Sequence, residues 1–188
     1  MERRRRSGKT DYQARLAMLK SGKPRLVVRK TANYIKADVV EFDGIGDKVL
    51  ATCSSKELEG FGWKGGSKNI SAAYLTGLLL SKKAGGKDVI VDIGLQTSSK
   101  GSKLYALTKG AHDGGMALKT SSLSPTEDRI KGKHIAEYAK KLGDGERSKK
   151  FSKYIKSGAD PREIEKMFDS VKMNIMGGKH EKSHDKRE

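Results

Sequence analysis

Cysteine and proline are scarce in this chain, with one Cys and three Pro among 188 residues. Cys53 alone closes no intramolecular disulfide and supports no cysteine-based zinc site. By residue type it is a candidate nucleophile, but a small buried hydrophobe at the end of a strand is the favoured reading. A lone thiol suits a reducing, cytoplasmic setting. No run of roughly 18 apolar residues occurs, so nothing is expected to span a bilayer. The start, Met1-Glu2-Arg3-Arg4-Arg5-Arg6, has no apolar run behind it and does not read as a secretory signal. An Arg-rich start could also open a mitochondrial transit peptide, against which Glu2 and Asp11 count. Acids are the other shortage, 23 against 40 Lys and Arg, for a formal net charge of +17 and a pI near 9.9. Such an excess calls for a polyanion or a very large solvated surface, with nucleic acid ahead of an anionic membrane. Apolar residues reach only 35%, so one part of the chain packs a core while another lies on a partner.

What is present divides into four stretches. Residues 1–23 form a basic arm, 24–120 an α/β core, 121–176 a helical, charged extension and 177–188 a polar tail. In the arm, Tyr12, Leu16, Ala17 and Leu19 could share one helical face before Ser21-Gly22-Lys23-Pro24 breaks it. Arg25 to Thr31 is short and β-branched, and Ile35 to Phe42 alternates with a strand period. Asp43-Gly44 and Gly46-Asp47 carry turn chemistry, and Lys48 to Cys53 makes a third strand. Strands joined this closely should pair antiparallel. A helix is expected over Ile70 to Ala84, with Ala73 and Gly77 small enough for close approach to a sheet and Gly85-Gly86 as its stop. Asp88 to Ile93 suits a buried strand, and Ser102 to Met116 a second helix. This order predicts an α/β unit with a mixed sheet. In the extension, Ser124-Pro125-Thr126-Glu127 and Asp160-Pro161-Arg162-Glu163 are helix starts. Ile164, Met167, Phe168 and Val171 then form an apolar stripe that must bury.

Four adjacent arginines, Arg3 to Arg6, repel one another unless counter-charges sit between them, and phosphate oxygens match the guanidinium fork. A solubilising tail or a nuclear-localisation patch is the alternative. In Phe61-Gly62-Trp63-Lys64-Gly65-Gly66-Ser67-Lys68-Asn69, glycines let backbone N–H groups approach phosphates, Lys64 and Lys68 supply charge, and Trp63 either stacks on a base or covers an edge of the core. The loop is no P-loop, since G-x-x-x-x-G-K-[ST] is absent. Three strands, a helix and a strand also describe a ribonuclease-H-like, metal-dependent nuclease, which needs several converging carboxylates. Asp38, Asp43, Asp88 and Asp92 are the candidates, but the first strand has no acid. Asp92 stands out in an apolar run, either as a metal ligand or, preferably, as a carboxylate accepting N–H bonds from the next turn. His180 and His184 have metal-capable i, i+4 spacing, but no helix is expected there, and His112 and His134 suggest no site. No catalytic residue, metal or cofactor is therefore expected. A free RNA chaperone is a weaker third reading, opposed by the defined core.

The blocks RRRRSGKTDYQARLAMLKSGKPRLVVRKTANYI, FGWKGGSKN, AAYLTGLLLSKKA, DIGL and EDRIKGKHIAEYAK, in this order, resemble the universal large-subunit ribosomal protein family numbered eighteen. The match is to its archaeal and eukaryotic branch, over about Arg3 to Lys141. The chain lacks long eukaryotic insertions and exceeds the short bacterial form, so the archaeal version fits best. The resemblance implies a 5S-rRNA-binding protein of the central protuberance that helps attach 5S to 23S rRNA. It also implies an α/β fold with an RNase-H-like mixed sheet and no nuclease activity, neighbouring ribosomal proteins as further partners, and neither a membrane nor a small-molecule substrate. Carried onto this sequence, Arg3, Arg4, Arg5, Arg6, Lys9, Thr10, Tyr12 and Arg15 would lie on RNA. Arg25, Arg29, Lys30, Asn33 and Tyr34 would present a sheet edge to it. The loop would add Trp63, Lys64, Gly65, Gly66 and Lys68.

Overall fold

The computed structural model describes residues 6–8, 10–119 and 123–178. Helix α1 (Tyr12–Leu19) starts where the Asp11 carboxylate accepts the N–H groups of Gln13 and Ala14, both at 3.0 Å. None of its residues is buried. Its apolar face instead borders a shallow hollow beside Phe42, with Leu16 and Leu19 on the rim.

Three strands follow as a meander: β1 (Arg25–Lys30), β2 (Ile35–Phe42) and β3 (Asp47–Ser54). The β1–β2 and β2–β3 pairs are antiparallel, with a bulge between Val39 and Val40. Leu26, Val28, Ile35, Ala37, Val39 and Cys53 point into the core. The extra residue is Leu50 of β3, since Val39 pairs with Ala51 and Val40 with Val49, and so Leu50 and Ala51 both pack against the core. Helix α2 (Ile70–Ala84) has the bounds its local signals predict, with Asn69 capping Ala72 N at 2.6 Å and Gly85 at φ +73 ending it. β4 (Ile90–Asp92) lies parallel to β1, giving the order β3-β2-β1-β4 and the mixed sheet expected. It is shorter than the predicted run, since Asp88 makes only an isolated bridge to Ala117.

α3 (Lys103–Asp113) corrects the expectation that Gly77 faces the sheet. A Cβ on Gly77 would stand 2.0 Å from the Leu107 carbonyl oxygen, and one on Gly110 would stand 2.0 Å from that of Tyr74. The two glycines allow a helix–helix crossing at backbone contact.

The extension is built of α4 (Glu127–Lys131), α5 (Lys133–Lys141), α6 (Asp144–Lys150), α7 (Ser152–Lys156) and α8 (Ile164–Gly177). α4 begins at Glu127 after Thr126, not at Ser124. The Ser124 hydroxyl is buried without a partner, so it caps nothing. Asp160 does cap its turn, accepting from Arg162 N at 2.9 Å ahead of Pro161–Glu163 and α8. The predicted stripe is sunk, with Ile164, Phe168 and Val171 at 0–2% exposure and Met167 packed beside them. Phe168 meets Tyr74 of α2 at a ring separation of 5.7 Å. The extension therefore closes α2 on the side that the sheet and α3 leave open, which is why twelve of that helix's fifteen residues are buried.

Candidate nucleic-acid interface

The β1–β2 turn, the glycine-rich loop, and the helices α3, α4 and α7 converge on one open groove of about 1100 Å³. Its walls carry Lys56, Lys64, Lys68, Lys103, Arg129 and Lys153, against the single acid Glu59. None of these six cations pairs with a carboxylate among the described residues. Lys68 Nζ donates to the Ala32 carbonyl at 3.0 Å, and Lys56 lies 4.8 Å from the Tyr34 ring centre. The groove runs on into a hollow lined by Lys30, Thr31, Lys68, Gly101, Ser102 and Lys103. Burial, then the charges of Lys68 and Lys30, push the Lys103 pKa below its usual value. Positive charge here is thus crowded enough to repel itself, which an incoming polyanion relieves. His134 also lines the groove, with its pKa lowered by burial and by Arg129, so it is neutral near pH 7.

A backbone frame positions these groups. Ser55 donates from its hydroxyl to the Ser67 carbonyl at 2.6 Å and accepts Ile35 N–H at 3.0 Å, tying the loop to the sheet. Asn69 Nδ2 donates to the Tyr154 hydroxyl at 3.2 Å, and the Ser157 hydroxyl donates to the Lys64 carbonyl at 2.8 Å. The extension thereby holds one wall of the groove.

Trp63 differs from its expected role. It is 1% exposed, and its indole N–H points to the Gly66 carbonyl at 3.4 Å. Gly65 crosses the ring so closely that a Cβ there would stand 2.7 Å from the indole. The indole is a floor beneath the loop, with no face open to a base. Of the loop's expected contacts, Lys64, Gly65, Gly66 and Lys68 line the groove, as does Asn33, with Lys30 and Tyr34 beside it.

Arg25 also departs from expectation. β1 is an interior strand, and Arg25 is 3% exposed on the sheet face away from α2 and α3, toward α1. There it contacts Asp92 at 3.0 Å and Asp47 at 2.6 Å. Arg29 pairs with the other Asp92 oxygen at 3.1 Å, and Arg15 of α1 with Asp47 at 3.0 Å. Asp92 also accepts Gly94 N–H at 2.8 Å, the turn-supporting role favoured for it. Two aspartates therefore hold three arginines in one chain of charges, and Arg25 has no surface to present to a ligand. Thr10, Arg15 and Arg29 border the hollow above this network, and Tyr12 lies beside Phe42. Arg6 is exposed. Arg3, Arg4, Arg5, Lys9, His180 and His184 lie outside the described residues. Among those described, no three His, Cys, Asp or Glu side chains come together as a metal site would require. Cys53 is fully buried, and burial beside Glu57 pushes its pKa up to about 12.

Lys56, Lys103, Arg129 and Lys153 are groove residues that sequence reasoning missed. They come from four separate segments, and no local pattern marks any of them.

Residues 1–87 match the family described as ribosomal large subunit proteins 60S L5, and 50S L18. The chain is 52% identical over 174 residues to large ribosomal subunit protein uL18 of Korarchaeum cryptofilum, covering 90% of this chain and 89% of that protein. The proteins of the same name from Methanosphaera stadtmanae and Methanothermobacter thermautotrophicus are 46% and 45% identical over 177 residues, each covering 92% of both chains.

Proposed function

We propose, from the premise that this chain belongs to the large ribosomal subunit protein uL18 family, that it binds 5S rRNA and helps attach it to 23S rRNA in the central protuberance. Family membership makes it a structural constituent of the large subunit and not an enzyme. The observation that carries the RNA reading is the open groove, whose lining has one acid and six cations without carboxylate partners among the described residues. Phosphate neutralisation there supplies affinity and salt dependence, and the rigid frame of loop and helices reads RNA shape. Glycines at 65 and 66 keep the loop backbone accessible, while Lys64 and Lys68 flank it. The arm, with Arg3 to Arg6 and Lys9, adds a second set of phosphate contacts.

A nuclease on this architecture is disfavoured by Asp92 in particular. Both of its oxygens are engaged by arginines, and a cation beside two guanidinium groups would be repelled.

The test is a gel-shift titration of 5S rRNA against an RNA duplex of equal length, repeated across salt. Preference for 5S is expected. Removing residues 1–9 deletes five cations and should lower the slope of log K against log salt by about 2–4 units, at roughly 0.7–0.9 per phosphate contact. Equal affinity for the duplex, or a deletion that leaves the slope and subunit incorporation unchanged, would refute the reading.

A further inference from the structure

The β2–β3 hairpin has a character opposite to the rest of the molecule. Between Glu41 and Val49 it carries three acids and one lysine, in a chain of net charge +17. Asp47 is engaged by Arg15 and Arg25, while Glu41 and Asp43 have no ion-pair partner among the described residues. Ile45 stands at the tip with its side chain fully exposed, and Asp43 N–H closes the turn onto the Gly46 carbonyl at 2.9 Å. Val49 is 56% exposed and Phe42 44%. Leu16 of α1, 56% exposed, continues the apolar surface across the hollow it shares with Phe42. Exposed apolar residues scattered singly need no explanation, but here four are gathered on one hairpin and the helix beside it.

We infer that this hairpin is a protein-docking tip whose partner is a basic segment of a neighbouring large-subunit protein. RNA is a poor occupant, because the unpaired carboxylates of Glu41 and Asp43 repel phosphates and Ile45 offers no hydrogen bond. A partner rich in Lys or Arg with apolar residues between them satisfies both features: its cations meet the free carboxylates, and its apolar groups cover Ile45, Phe42 and Leu16. The inference rests on membership of the large subunit, and it assigns RNA and protein to different surfaces: the groove takes RNA and the hairpin tip takes protein.

The experiment places a photoreactive benzoylphenylalanine at position 45 of the full-length chain, assembles it into large subunits, and irradiates the sedimented subunits. A second preparation carries the same group at position 64, in the groove. Position 45 is expected to join a different protein through a Lys- or Arg-rich peptide, identified by mass spectrometry, in an adduct that survives ribonuclease. With Glu41→Lys and Asp43→Lys added, the yield from position 45 should fall several-fold. Attachment from position 45 to rRNA, to a second copy of this chain or to an acidic segment would overturn the inference, as would no adduct at all. Position 64 reports separately on the RNA reading: attachment there to protein alone would defeat that reading without touching the hairpin.

Discussion

Replacing Trp63 with alanine separates a structural tryptophan from an RNA-stacking one. The indole is 1% exposed, lies under Gly65 and points its N–H at the Gly66 carbonyl. Truncating a buried Trp costs about 3–5 kcal/mol, as lost transfer energy plus the cavity left behind. In a chain of this size each kcal/mol moves the melting temperature by about 2–4 °C, so Trp63→Ala should melt roughly 6–20 °C lower. Trp63→Phe, which keeps the apolar bulk and loses the N–H, should recover a large part of that. Melting is followed by circular dichroism, and 5S rRNA affinity is measured well below the transition. Since Trp63 is the only tryptophan, its fluorescence is a second readout. In the wild-type protein it should be blue-shifted, resistant to acrylamide, and little quenched when RNA binds. A surface platform predicts the reverse, about 1–3 kcal/mol of lost affinity in Trp63→Ala with melting unchanged, plus strong quenching by RNA. That outcome would refute the burial argument.

Gly77→Ala and Gly110→Ala should each destabilise, although alanine is the better helix former by about 1 kcal/mol, because each new methyl would meet a carbonyl oxygen at 2.0 Å. A melting temperature above that of the wild type in either would contradict the crossing. Asp92→Asn strands the buried Arg25 with Asp47 alone and should cost about 3–5 kcal/mol in urea titrations, the range for breaking a buried pair; a loss below about 1 kcal/mol would place the network in water. Lys68→Gln and Lys103→Gln should each flatten the salt dependence of RNA binding by about 0.7–0.9, with melting nearly unchanged, whereas Arg25→Gln should lower melting and leave the slope alone. Cys53 should resist thiol reagents at pH 8 until the protein unfolds. Because its folded pKa is raised from 9.0 to about 12, the stability tied to its neutral thiol is complete below pH 9.0 and declines as pH climbs from there. Rapid labelling of the native protein, or stability constant from pH 9 to 11, would argue against its burial.

Much of the architecture is written locally. β2 has the bounds its strand alternation places, and α2 ends at the Gly85 stop, because those signals act within a few residues. The Asp160-Pro161 start and the stripe of α8 are legible for the same reason. The Ser124 start fails because a cap motif states only that a helix can begin there, and the chain enters the helix two residues later. Net charge was enough to call for a polyanion, since long-range electrostatics depends on the sum and little on the arrangement. Tertiary structure alone decided which face of Gly77 meets another helix, whether Trp63 looks outward or inward, and that Arg25 is held by Asp47 and Asp92. It alone also gathered Lys56, Lys103, Arg129 and Lys153 around one groove. Each of these depends on segments distant in sequence meeting at a few ångströms, and a side chain carries the same identity whether its neighbour is water, a carboxylate or a phosphate.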